Sequence, residues 1–139
     1  MSAVRSVHSA DIPVAAGGTP DDPTVLRPVR HHLGVRAFGV NLFEAPGAGD
    51  EVIEPHVETQ DSPSEHEELY LVLDGEARFE VDGETVDAPA GTFVLVPDPR
   101  SHRVAVARAD GTRVLAMGAP RGAAFEVSAW ERRRFGEDG

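Results

Sequence analysis

Turn-forming residues punctuate this chain so often that no long regular element fits between them. Its 139 residues carry 14 glycines and 11 prolines, which cut it into short pieces and favour an all-β domain over a helical one. The pairs Asp74-Gly75, Asp82-Gly83 and Asp110-Gly111 supply the positive-φ residues that tight hairpin turns require. Strands are predicted over Val35–Glu44, Glu51–Val57, Glu68–Leu73, Ala77–Val81, Glu84–Val86, Thr92–Val96, Arg103–Ala107 and Arg113–Met117. Residues 77–82 alternate cleanly, with Ala77, Phe79 and Val81 on one face and Arg78, Glu80 and Asp82 on the other. Short strands at such regular spacing close into a barrel or a sandwich. A helical turn over Val29–Leu33 ended by Gly34, and a helix over Ala129–Phe135 capped by Ser128, flank them. Residues 15–24 read as an exposed loop. The length suits one compact domain.

Charge and residue usage exclude several functions. Thirteen basic residues against 24 acidic ones give a net charge of −11, which repels phosphate backbones and anionic membranes, so neither nucleic acid nor membrane is an expected partner. Every basic residue is arginine; without lysine there is no Schiff-base chemistry and no P-loop. Without cysteine there is no thiolate nucleophile and no thiolate metal site. No GxSxG elbow is present, and no Ser–His–Asp set converges in any visible motif. The first ten residues lack a signal-peptide pattern, and apolar runs such as Phe93–Pro97 fall far short of the roughly 20 residues a spanning helix needs. A cytoplasmic protein is expected.

One strand bears on assembly. Leu69, Leu71 and Leu73 share one face of Glu68–Leu73, while Tyr70 and Val72 share the other. A strand apolar on both faces needs cover on both. A domain of this size supplies one core, so the second cover is the N-terminal segment or a partner subunit, and a homodimer is expected.

Two spaced patterns carry the chemistry. Glu68 is followed by six residues (LYLVLD) and Gly75. Gly91 is followed by five residues (TFVLV), then Pro97, Asp98, Pro99, two more residues and His102. Over residues 38–118 the chain thereby resembles the cupin family, with Pro99 standing where the family's second motif has a glycine. The resemblance implies an all-β, cupin-like β-barrel (a double-stranded β-helix, or jelly roll), with an N-terminal extension over 1–34, the barrel over 35–118 and a C-terminal extension over 119–139. It also implies a divalent metal held by two histidines of an HxH pair, a glutamate and the second-motif histidine. Counting back from Glu68 at the usual spacing reaches Ser62 and Ser64, which are poor ligands. A longer loop over residues 59–67 brings His56-Val57-Glu58 into the HxH place, at i and i+2 on one strand face. The implied set is then His56, Glu58, Glu68 and His102, two imidazoles and two carboxylates that suit Zn, Mn, Fe or Ni.

The same residues admit a plainer account, in which Glu54, His56 and Glu58 form the solvated face of a half-buried strand. His66, two before Glu68, is a further candidate, either as a ligand-binding group or as a surface histidine. Tyr70 and Phe79 either line the barrel mouth, where they would bind a ligand, or sit in the core. Arg78, Arg100 and Arg103 either hold an anionic substrate or offset the acidic surface. His31 and His32 fit a solvated turn, and His8 a frayed terminus. Three functions follow. The first is a cupin domain that binds a small molecule, with a place for one divalent metal. The second is a metal-dependent cupin enzyme of the dioxygenase or isomerase type. The third is a metal-free structural dimer. No helix-turn-helix is visible, which argues against a ligand-sensing transcription factor.

Overall fold

A computed structural model describes residues 3–59 and 65–136; Ser62 and Ser64 lie outside them. A 3₁₀ turn at Ser9–Asp11 precedes β1 (Val25–Arg27), α1 (Val29–Leu33), β2 (Gly39–Ala45), β3 (Glu51–His56), β4 (His66–Asp74), β5 (Glu76–Val81), β6 (Glu84–Pro89), β7 (Phe93–Val96), β8 (Arg103–Ala107), β9 (Thr112–Pro120) and α2 (Ala129–Phe135). The strands pair antiparallel in two sheets, β1-β2-β9-β4-β7 and β3-β8-β5-β6. The core lies between them: Tyr70, Val72 and Val114 from the first sheet meet Val52, Phe79 and Ala105 from the second, all fully buried. This is the expected all-β, cupin-like barrel.

Local chemistry explains most element ends. Asp82 (φ 48°) and Gly83 (φ 84°) are the two positive-φ residues of a hairpin turn whose twist matches the flanking strands β5 and β6. Gly34 adopts the left-handed conformation and returns its N–H to the carbonyls of Arg30 and His31, closing α1. The α2 helix spans the predicted residues, but Ser128 does not cap it by accepting a backbone N–H; its hydroxyl instead donates to Glu131 Oε2 at 3.4 Å. Strand β2 starts at Gly39 rather than Val35, because the chain leaving α1 first bonds Val35 N–H to the Arg30 carbonyl. Strand β1, which sequence periodicity is too short to show, adds an edge to the first sheet.

Outward-facing residues of the first sheet divide into two regions. Val40 and Leu42 of β2 point away from the core yet are buried, as is Ile12. Arg27 donates to the Ile12 carbonyl and Arg113 to Ser9 Oγ, so the N-terminal segment lies over this side of the sheet. Farther along, Leu73, Phe93 and Leu95 of β4 and β7 remain exposed. Among the described residues no helix is long and apolar enough to cross a membrane.

Candidate metal and ligand site

Strand β3 ends at the site, and its irregular pairing aims the donors. Its register against β8 shifts between Glu51 and Ile53 and again between Ile53 and His56, the signature of bulges that re-aim side chains. Val52 and Ile53 are therefore both buried although adjacent. Past the strand end, Glu58 is fixed by its N–H donating to the Pro99 carbonyl at 2.8 Å. Glu68 projects from β4, on the face it shares with His66 and Tyr70.

Three donor atoms converge there. His56 Nε2 lies 3.3 Å from Glu58 Oε2 and 3.6 Å from Glu68 Oε1, and ligand atoms of all three residues fall within 4.8 Å of one another. His56 Nδ1 donates to the Glu54 carbonyl at 2.8 Å, which fixes the ring with Nε2 toward the carboxylates. The three side chains are largely withdrawn from water, so the solvated-face account of His56 and Glu58 does not describe them.

Glu68 is the most heavily bonded of the three. It accepts from the Tyr70 hydroxyl and from Arg103 Nη1 at 3.0 Å. Burial pushes its carboxyl up, but hydrogen bonding to His56, Glu58 and Tyr70 outweighs this and holds it at about 2. Burial lowers the His56 imidazole, yet hydrogen bonds to Glu58 and Glu68 raise it to about 10, so His56 is cationic near neutral pH. Burial pushes the Glu58 carboxyl up, and the charge of Glu68 adds to that against the hydrogen bond from His56. Without a metal, His56 and Arg103 are the cations that face Glu68; a metal ion would take Nε2 in exchange for the His56 proton.

The remaining expected residues fall elsewhere. His102 does not join the set: its side chain is exposed and its backbone N–H donates to Asp82 Oδ1 at 2.9 Å. The reason is strand phase. Strand β8 starts at Arg103 and points Arg103, Ala105 and Ala107 inward, so Arg103 occupies the inner position and His102 the outer. Arg103 is completely buried, and its remaining N–H groups donate to the carbonyls of Asp98 and Ser101. It neither offsets surface charge nor stands free for an anionic substrate. Arg78 and Arg100 pair with Asp87 and Asp98 at the surface. Tyr70 and Phe79 are not at a barrel mouth; both are fully buried, with ring centroids 5.2 Å apart in the core, and Tyr70 acts on Glu68 instead. His31 stacks on Phe135 with centroids 3.8 Å apart, and His8 Nδ1 caps the first 3₁₀ turn.

A cavity of about 470 Å³ opens beside the three donors. His56, Glu58, His66 and Glu68 line it, with Asn41 and Phe43 of β2 and with Phe125, Trp130 and Glu131 from the C-terminal segment. His66 is 5% exposed, its ring 5.4 Å from Phe125, and burial lowers its pKa. A buried ion pair between Arg30 Nε and Glu131 Oε1, 3.0 Å long, ties α2 to α1. The inward phase of Asn41, between outward Val40 and Leu42, was open to reading from alternation along β2. The arrival of Phe125 and Trp130 from a distant segment leaves no local signal.

Comparison with known proteins agrees with this architecture. A family model described as a cupin domain matches residues 49–118. Among solved structures, the chain is similar to a cupin protein from Bacteroides fragilis, at 20% identity over 91% of this chain and 92% of that one, with a TM-score of 0.63. It is similar also to an RmlC-like cupin from Shewanella frigidimarina (18% identity, 84% and 90% coverage, TM-score 0.60). A third similar structure is KdgF from a Halomonas species (19% identity, 79% of that chain and 70% of this one, TM-score 0.57). At these identities the likeness concerns the fold. No curated protein matches the chain.

Proposed function

This chain belongs to the cupin family, and from that premise we propose that it binds a small molecule in a cavity where His56, Glu58 and Glu68 hold one divalent transition metal. The observation that carries this reading is the convergence of one imidazole nitrogen and two carboxylates within 4.8 Å of one another, on the wall of a cavity large enough for a ligand. The donor set fits such an ion: a nitrogen donor with its ring held from behind by a carbonyl, and oxygen donors that suit Zn, Mn, Fe or Ni. Among the described residues it offers three protein donors rather than four, because Arg103 holds the inner place on β8. A metal bound there supplies a Lewis acid that polarises a ligand oxygen. The protein's own part is to orient His56 through Glu54, to hold Glu68 ionised through Tyr70, and to exclude water with the apolar walls. His66 faces the same cavity as a ligand-binding group.

The test is calorimetric titration of Zn²⁺ and Mn²⁺ into chelator-treated protein. One site per chain is expected, with affinity reduced at least about tenfold in Glu58→Gln, in line with the loss of a ligand. Equal affinity in the wild type and Glu58→Gln removes Glu58 from the site. Three donors among the described residues also favour a second reading, since they leave positions on a metal open to substrate: a metal-dependent enzyme of the dioxygenase or isomerase type. Turnover that disappears with both chelator and Glu58→Gln would select it over binding alone.

We further propose that the chain works in the cytoplasm, which a cysteine-free sequence suits, and as a homodimer. The outer face formed by Leu69 and Leu71 of β4, Leu115 and Met117 of β9, and Phe93 and Leu95 of β7 is uncharged. On a chain of net charge −11, such a face is where a second, equally acidic copy can approach without repulsion.

A further inference from the structure

We propose that the cavity beside His56, Glu58 and Glu68 selects an uncharged, ring-bodied ligand through hydroxyl or N–H groups that bond Asn41 and His66; this rests on the reading of that cavity as a ligand site. Two polar atoms on its wall stand out. His66 Nε2 and Asn41 Oδ1 are buried and have no hydrogen-bond partner among the described residues, and His66 is only 5% exposed. Buried polar groups in folded proteins are nearly always paired, because leaving one unpaired forfeits its solvation with nothing in return. Two such atoms on residues that line one cavity await a partner that the described residues do not provide.

The chemistry of the two atoms narrows the partner. An amide oxygen only accepts, so whatever meets Asn41 Oδ1 must donate. An imidazole nitrogen donates or accepts according to tautomer, and a hydroxyl answers either state. The body of the ligand meets apolar walls, among them Phe43, Phe125 and Trp130. Anions find no uncompensated cation among the described residues of the interior: His56 faces the carboxylates of Glu58 and Glu68. Arg103 is spent on Glu68, Asp98 and Ser101, and Arg30 on Glu131 and Val35. Arg134, which lines the cavity, is exposed and donates to the Ala15 carbonyl.

Asn41, Phe43, Phe125 and Trp130 all lie outside the residues matched by the family model, 49–118. Most of that wall therefore comes from this chain's flanking segments, with His66 contributed from within the matched residues.

Trp130 is the sole tryptophan, so its fluorescence, excited selectively, reports occupancy. The probes share one ring body: trans-1,4-cyclohexanediol, its dimethyl ether and trans-cyclohexane-1,4-dicarboxylate. Titrating chelator-treated full-length protein keeps any metal out of the measurement. The diol is expected to bind at least about tenfold more tightly than the ether, with the dicarboxylate weakest. In Asn41→Leu, and separately in His66→Phe, the preference for diol over ether should shrink to about threefold or less. Circular dichroism confirms that each variant is folded, and two variants guard against the loss of one. Equal binding of diol and ether, tighter binding of the dicarboxylate, or no response to any probe overturns the inference. Metal titration against Glu58→Gln is read independently of these outcomes, so either claim can fail alone.

Discussion

Glu68 is where the site and the fold meet. Its carboxylate accepts from Tyr70 and Arg103 while facing His56 and Glu58, so its orientation is set before any ligand arrives. Arg103 is the costly partner: a guanidinium completely buried, with its N–H groups satisfied by Glu68 and two carbonyls. Removing one member of a buried pair leaves the other charge uncompensated, a loss of about 3–5 kcal/mol. Arg103→Met is therefore expected to lower unfolding free energy by that order in denaturant titrations. Adding Glu68→Gln should restore at least about 1 kcal/mol of it, the coupling expected of contacting residues. Additive losses would show that the pair is not coupled. Glu68 was legible from its spacing to Gly75, and His56 from the lead-in to its strand. Arg103 was not, because His102 and Arg103 are adjacent and only the pairing of β8 with β3 and β5 decides which of them faces inward.

The C-terminal helix turns an open barrel side into a cavity wall. Its seven residues are too few for an isolated helix to persist in water, so α2 holds through tertiary contacts: the buried Arg30–Glu131 pair and the stack of His31 on Phe135. Glu131→Ala takes the carboxylate from a buried arginine. It is expected to cost about 3 kcal/mol and to shift Trp130 emission to the red as the wall loosens. Unchanged emission and stability would separate α2 from the cavity. Both helices were readable locally, from the Gly34 and Ser128 boundaries, since helix ends are written in neighbouring residues. Their meeting was not: Arg30 and Glu131 are 101 residues apart in sequence, and no periodicity connects them. Strand β1 escaped for a related reason, because three residues show no alternation and the strand exists by pairing with β2.

At the scale of the whole molecule, an acidic barrel keeps one uncharged face. Apolar residues on both faces of β4, Leu69, Leu71 and Leu73 on one and Tyr70 and Val72 on the other, already indicated in sequence that a second cover was needed. The structure supplies part of it, burying Val40, Leu42 and Ile12 over β2, and leaves Phe93 62% and Leu95 55% exposed. Phe93→Glu is expected to convert a dimer to a monomer in sedimentation velocity, without loss of the folded signal. A dimer that survives it, or a wild type already monomeric, contradicts the proposed interface. The barrel itself was legible because turn chemistry and strand alternation agree along most of the chain. The donor set was only partly so, because bulges in β3 and the phase of β8 are decided by pairing. The central claim, that these donors hold a metal, is tested most directly by anomalous diffraction from crystals soaked in Zn²⁺ or Mn²⁺. The account predicts one strong peak per chain within bonding distance, about 2.0–2.2 Å, of His56 Nε2 and of carboxylate oxygens of Glu58 and Glu68. No peak there, with the cavity accessible to the soak, would contradict it.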